Sequence, residues 1–370
     1  MKFKRNIKDV DLPLLIVTVF LIIIGIVAVT SASFPSAKKY DYNSFHYAIR
    51  QAVFLIVGII ALIFILKMPK GVIYKNIDWI FGVSLILIGL LWTPVGQEVY
   101  GQARWLKIPG LGILFQPSDI LKVTSIIFFA KYLSKNINKL RDAKTFFKIL
   151  LILGISVVPV MIKDFSTAVV IGMALFAMLV CAGLNKKQFG ILVIIGIVGI
   201  ILILTDDENK YRIERLLGFV SDSTDYLSAD LYQARQSLYA FALGGYAGVG
   251  LFRSRQKYTN LPQAYTDFIY SVIAEEFGLI GCMIILILFL VYIFRGYMIA
   301  VNSKNYFDKL TAVGITTFIG IQAFFNMGVA AKLLPVTGIT LPFISYGGSA
   351  LIMAIVATAV LLKISTGGTN

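Results

Sequence analysis

Apolar runs of about 20 residues recur along almost the whole of this 370-residue chain, and nothing else in it constrains the fold as strongly. A helix of that length matches the roughly 30 Å hydrocarbon core of a bilayer. Within lipid every backbone amide must find an internal partner, which leaves helices or a closed barrel. The runs fall at about 12–32, 47–67, 77–93, 115–134, 146–162, 166–183, 189–205, 266–295, 311–331 and 342–363. They lack the period-two alternation of barrel strands, so the chain reads as an all-α, polytopic integral membrane protein with about ten transmembrane helices. Composition agrees: 58% of residues are hydrophobic and only 14% charged, against about a quarter charged in soluble domains. The first run exceeds the roughly 7–15 residues of a signal-peptide core and reads as a retained helix.

Lys and Arg set the orientation, because they accumulate in cytoplasmic loops. Nineteen of them lie in the tail and the loops on the amino-terminal side, and seven in the short loops opposite. Both termini are therefore expected in the cytoplasm, as a multi-pass protein of the cytoplasmic membrane. Residues 206–265 then form one large extracytoplasmic loop between the seventh and eighth spans. With no second soluble domain and no internal repeat, residues 1–370 read as a single transmembrane domain. Within the loop, Leu231 to Leu243 is amphipathic and predicts an interfacial or re-entrant helix, broken by the glycines at 244, 245, 248 and 250. The net charge of +15 follows from loops that orient the protein, so nucleic-acid binding is set aside. Cys181 and Cys282 lie in apolar runs and read as packing residues. His46 is the only histidine, which rules out a His-based metal site by count.

That orientation gathers the unusual polar residues on the outer side. Arg104 and Trp105 lie in the second outer loop. Gln116-Pro117-Ser118-Asp119 opens the fourth span, with Pro117 suited to the first helical turn and Asp119 to the positive helix end. Lys122 can pair with Asp119 on the same face. Asp164, Ser166 and Thr167 form an outer turn. A basic cluster of Arg253, Arg255 and Lys257 precedes Asp267, which opens the eighth span. Ser345 to Ser349, with Gly347 and Gly348, interrupts the tenth. The bland alternatives are a structural Asp119–Lys122 ion pair, a solvated basic face at 253–257 and a packing notch at 345–349. Glu275 and Glu276 fit pairing inside the bundle, and Gln322 and Asn326, four apart, fit hydrogen bonding between helices. The stripe Asp267, Ser271, Ala274, Gly278 and Gly281 marks a face where another helix is expected to pack closely beside Asp267, which favours a narrow site over free solvent. Cations suit a phosphate or pyrophosphate and a lone carboxylate suits a general base. A lipid-linked pyrophosphate would meet both at this depth.

On Gly101–Trp105, Gln116–Asp119, Asp164–Ala168, Tyr232–Ala240, Ser254–Gly281 and Leu334–Ser349, the chain resembles the SEDS family (FtsW, RodA and SpoVE), which polymerises lipid II into glycan strands. Ser254-Arg-Gln-Lys-Tyr looks more like the FtsW/SpoVE branch. The resemblance implies an inverting peptidoglycan glycosyltransferase for cell division or cell shape, with undecaprenyl pyrophosphate as leaving group. It implies Asp267 as catalytic base, and Arg104, Gln116, Lys122, Asp164, Arg235, Arg255, Lys257 and Ser345 as substrate-binding residues. The implied partners are a class B penicillin-binding transpeptidase, divisome or elongasome proteins, and the surrounding lipids. No metal ligand set is legible, which leaves a divalent cation (Mg or Mn) open. The competing reading is a lipid II flippase, which calls for a polar path across the whole bilayer and an inverted repeat. The chain departs from the family pattern at Ala103, Lys163, Gln263 and Tyr265.

Overall fold

The structure, a computed structural model, describes residues 10–69, 71–99, 102–107, 114–205, 229–259 and 261–367. The basic tail ahead of residue 10, Gly101 and the polar opening of the long loop at 206–228 lie outside the described residues.

The helices are α1 (Leu12–Lys39), α2 (His46–Lys67), α3 (Val72–Gly89), α4 (Pro117–Lys135), α5 (Ala143–Lys163), α6 (Phe165–Ala182), α7 (Lys186–Thr205), α8 (Ala229–Gly244), α9 (Ile269–Asn302), α10 (Tyr306–Ala330) and α11 (Gly348–Ser365). Each expected apolar run lies in one of them. By length and composition, eight helices among the described residues can cross a membrane: α1, α2, α3, α5, α6, α9, α10 and α11. The two missing from the ten expected runs are α4 and α7. In α4 the reason is chemical, since Asp119, Lys122 and Lys131 are all buried in it. Several side chains of α7 lie outside the described set.

Caps set the ends. Asp11 accepts the Leu14 amide at 3.0 Å with Pro13 in the first turn, and Asp142 accepts the Thr145 amide at 3.1 Å. Asn305 accepts the Asp308 amide at 2.8 Å. Such caps satisfy amides that have no partner inside the helix. The first helix runs on to Lys39, through Pro35. The last starts only at Gly348, because Pro342 to Gly347 is irregular backbone.

The bundle is organised around α10, the most buried of the candidate spans, and α4, whose Leu121, Ile126, Phe129 and Leu133 are fully enclosed. Helix α10 packs against α9, α6, α4 and α11, while α3 covers α4. One departure from an all-helical chain is a small antiparallel sheet between α3 and α4: β1 (Gly96–Val99), β2 (Gln102–Lys107) and β3 (Leu114–Phe115). Gln97 pairs with Trp105 and Leu106 with Phe115. The register shifts between Gln97 and Glu98, which pair with Trp105 and Ala103, so Arg104 is the extra residue of a bulge in β2.

The second half of the long loop is tied to the bundle through its backbone. After α8, residues 245–250 run beside α9, which is broken at Gly278 (φ 65, ψ −162). The break leaves backbone groups without helical partners, and the loop supplies them. Val249 and Gly250 donate to the Glu275 and Glu276 carbonyls at 2.9 and 3.0 Å. Leu279 and Ile280 donate to Gly245 and Tyr246 at 2.9 and 3.2 Å. A side chain at Gly248 or Gly278 would strike the opposing backbone, so both positions require glycine. The small-residue face foreseen on α9 is thus the bed of α8 and this returning loop, with Ser237 meeting Ser271 at 2.5 Å.

Candidate active site

Asp267 lies in a turn two residues before α9, outside the membrane helix itself. The turn is closed by Thr266 and Phe268 amides on the Gln263 carbonyl, both at 3.2 Å, with Gln263 at φ 55. The Asp267 side chain is half-buried and lines a narrow space. A methyl built on Gly338 would sit 3.6 Å from Arg104 Nη1 and 3.7 Å from Asp267 Oδ2. Carboxylate and guanidinium therefore face one gap, with bare backbone as its third wall. Burial raises the Asp267 pKa to about 6, with Arg104 opposing the rise and Asp164 adding to it. A carboxyl that titrates near neutrality is suited to taking a proton.

Arg104 is held from behind. Its Nε donates to the Lys163 carbonyl at 3.2 Å and its Nη2 lies 3.7 Å from Asp164 Oδ1. It stays 21% exposed, so part of the guanidinium is free to meet an anion. Asp164 has no such freedom. It caps α6 through the Thr167 amide at 3.2 Å and also accepts from the Thr167 hydroxyl at 2.7 Å and Gln116 Nε2 at 2.9 Å. Gln116 and Asp164 thereby act as supports that aim Arg104.

Lys122 is likewise committed. It pairs with Asp119 at 2.7 Å, both buried, while Ser349 donates to Asp119 at 2.6 Å. Lys122 also reaches Gln322 Oε1 at 3.5 Å. This ion pair ties α4 to α10 and α11 just beneath the gap. Ser345 has used its hydroxyl in both directions. It donates to the Thr266 carbonyl at 2.6 Å and accepts from the Leu341 amide at 2.8 Å. Together with Tyr346 N on the Tyr265 carbonyl at 2.9 Å, it fastens the irregular start of α11 to the Asp267 turn. Gln51 of α2 holds the other side, through the Ser345 carbonyl at 3.1 Å and the Gly347 amide at 3.4 Å.

The basic cluster divides. Lys257 is fully enclosed, 2.6 Å from Glu276 and 2.7 Å from the Ser31 hydroxyl of α1. Glu275 accepts the Ser254 hydroxyl at 2.5 Å and the Arg255 amide at 2.7 Å. Glu276 lies seven residues into α9, roughly 10 Å along the helix from its start. Lys257 therefore sits well below the gap and serves the re-entrant loop. The Arg255 side chain is exposed and Arg235 is half-buried on α8.

Two features escaped the sequence reading. Gly338 is inside a motif already noted, but only the fold brings its α-carbon against Asp267. Tyr265 belongs to an aromatic cluster with Tyr47 and Tyr346, at centroid distances of 4.8 and 5.7 Å. Among the described residues no three His, Cys, Asp or Glu side chains converge on one point.

The profile of the FtsW, RodA and SpoVE family, described as cell cycle protein, matches residues 12–370. A Geobacter metallireducens protein named probable peptidoglycan glycosyltransferase FtsW is 34% identical, with 99% of this chain and 98% of that protein aligned. Stage V sporulation protein E of Bacillus subtilis is 38% identical, over 96% of each. Among solved structures, a chain of a peptidoglycan synthase complex that couples polymerization to crosslinking superposes with a TM-score of 0.79 at 24% identity, over 96% of this chain and 97% of that one. Thermus thermophilus rod shape determining protein RodA gives 0.70 at 23% identity, over 96% of each. At that identity the structures speak for the fold alone.

Proposed function

Since the chain belongs to the FtsW, RodA and SpoVE family of cell-cycle proteins, we propose that it works as a peptidoglycan glycosyltransferase that extends glycan strands from lipid II at the outer face of the membrane. The observation that carries the reading is the shared gap between Asp267, Arg104 and Gly338. Asp267 takes the proton from the 4-hydroxyl of the acceptor sugar. As that proton leaves, the oxygen attacks the anomeric carbon of the donor. The bond from that carbon to the pyrophosphate oxygen breaks, its electron pair leaves with undecaprenyl pyrophosphate, and the configuration inverts.

Arg104 is the cation placed to meet the charge developing on the leaving group. Gln116 and Asp164 hold it there, and Arg235 and Arg255 are candidates for the more distant phosphate or sugar contacts. Lys122 and Lys257 are committed to buried ion pairs, so their part is to hold the walls. Among the described residues, a divalent cation at the gap would meet Asp267 and Asp164, with Arg104 acting on both. That is a poor ligand set, and no step above needs it. The excess of Lys and Arg in the loops opposite Asp267 supports cytoplasmic termini and an outward-facing gap. A class B transpeptidase fits as partner, in keeping with the crosslinking named for the synthase complex.

The test is purified protein, with its cognate transpeptidase, given lipid II in detergent. Asp267→Asn is expected to give folded protein and no polymer, and polymer at wild-type yield would remove Asp267 as the base. Orientation is tested separately with Pro262→Cys, at an exposed position beside the gap, in a variant lacking Cys181 and Cys282. Labelling of whole cells by a membrane-impermeant thiol reagent is expected, and its failure alongside success in lysed cells would put the gap in the cytosol.

A further inference from the structure

Asn326 of α10 reads from sequence as hydrogen-bond glue between helices, but its amide touches no other helix. Its Nδ2 donates to the Asp267 carbonyl at 2.8 Å and to the Ile339 carbonyl at 2.7 Å. Both acceptors are in non-helical segments. One precedes α9 and carries the carboxylate. The other immediately follows Gly338, the third wall of the gap. Four residues earlier on α10, Gln322 repeats the pattern, its Nε2 reaching the Thr340 carbonyl at 3.0 Å and the Thr340 hydroxyl at 3.3 Å. Two amides one helical turn apart therefore grip successive carbonyls of the segment that follows Gly338, and Asn326 also grips the Asp267 turn.

The two ends of the Asn326 amide are unequally served. The residue is 1% exposed, and its Oδ1 is buried without a partner. A buried orphan acceptor is destabilising, and the amide retains it while its other atom satisfies two backbone carbonyls that an apolar side chain would leave without a donor. Both hydrogens of Nδ2 point at carbonyls, which accept only, so the orientation of the amide is fixed by its partners. The residue carries a cost on one atom while the other joins the two walls of the gap.

We propose that Asn326 is a positioning residue for the transferase reaction, holding the Asp267 turn and the Gly338 segment on one amide so that carboxylate, guanidinium and substrate meet at a fixed separation. The inference rests on Asp267 being the base. Asn326 touches neither the carboxylate nor the substrate and acts through the backbone alone. The charged groups acting on Asp267 are Arg104, from β2, and Asp164, from the junction of α5 and α6. If the clamp is released and the carboxylate drifts from Arg104, the lowering influence of the guanidinium weakens, and the pH midpoint of the reaction rises.

The experiment compares wild type, Asn326→Leu and Asp267→Asn as full-length protein with its transpeptidase, using lipid II. Asn326→Leu removes both donors and the orphan acceptor together. Its melting temperature is expected to fall by several degrees, because the Asp267 and Ile339 carbonyls lose their donor, while the folded protein shows kcat down roughly 10- to 100-fold, as for a reacting group displaced by about 1 Å. KM is expected to change less than about threefold, and the pH midpoint to move upward. Wild-type kcat and midpoint in folded Asn326→Leu would overturn the inference. Should that variant not fold, Asn326→Ser, which can donate to one carbonyl at most, is read in the same way. Failure of both to fold would also overturn it, since the residue would then be required for the fold itself. Asp267→Asn separates the two readings. An active Asp267→Asn variant defeats the base, whereas an inactive one beside a fully active Asn326→Leu defeats only the clamp.

Discussion

The ionisation of Asp267 offers the most direct quantitative test. Its carboxyl moves from 3.8 to about 6, chiefly through burial. A shift of about two units corresponds to roughly 3 kcal/mol at 1.36 kcal/mol per unit. Because the side chain is partly exposed, solvent screening brings the realised figure nearer to about 1–2 kcal/mol. The sign follows from which form the fold prefers. A raised carboxyl favours the protonated state, so ionisation destabilises the folded protein. That cost is absent below pH 3.8, grows between 3.8 and about 6, and is complete above. Asp267→Asn removes it. At pH 7.5 the variant is therefore expected to melt a few degrees above wild type, with the difference closing as pH falls toward 4. Catalysis runs the other way. The base must be ionised, so at saturating lipid II the rate is expected to rise about fivefold between pH 5 and 6 and level off above 7. The paired measurement is a melting curve of wild type and Asp267→Asn at pH 5.0 and 7.5, beside a polymerisation rate profile from pH 5 to 8.5. A variant less stable than wild type at pH 7.5, or a rate profile flat down to pH 5, would refute the reasoning.

Arg104→Gln removes the cation that lowers the Asp267 pKa, so the rate profile should shift to higher pH and the plateau should fall by roughly 100-fold, as when a preorganised charge donor is lost. Gly338→Ala puts a methyl against Arg104 and Asp267 at a backbone φ of +66; a loss of at least about tenfold in rate is expected from the crowded gap, beside roughly 1 kcal/mol of strain, read by polymer gels and thermal melts. Lys257→Met leaves Glu276 unpaired in the bundle and should cost about 3–5 kcal/mol, seen as lost folded protein. Lys257→Met combined with Glu276→Gln should recover folded yield with near wild-type specific activity, whereas an inactive but folded double variant would return Lys257 to the substrate.

Sequence alone set the helical, membrane-embedded character of the chain, because hydrocarbon thickness and backbone hydrogen bonding leave an apolar 20-residue run few other options. The same logic marked Asp267, Arg104, Gln116 and Asp164 as costly groups at one end of the bundle, and all four meet there. What sequence could not decide was which charges remain available. Lys122 and Lys257 look as suited to a phosphate as Arg104 does, yet each is closed into an ion pair with Asp119 or Glu276. Nor could it show that residues 245–257 turn back along a helix broken at Gly278, or that Gly338 and Asn326 shape the gap, since those contacts join segments dozens of residues apart. Local chemistry writes itself into spacing and hydropathy. Whether a charge is already neutralised, or a backbone carbonyl already gripped, depends on neighbours that only the folded chain brings close.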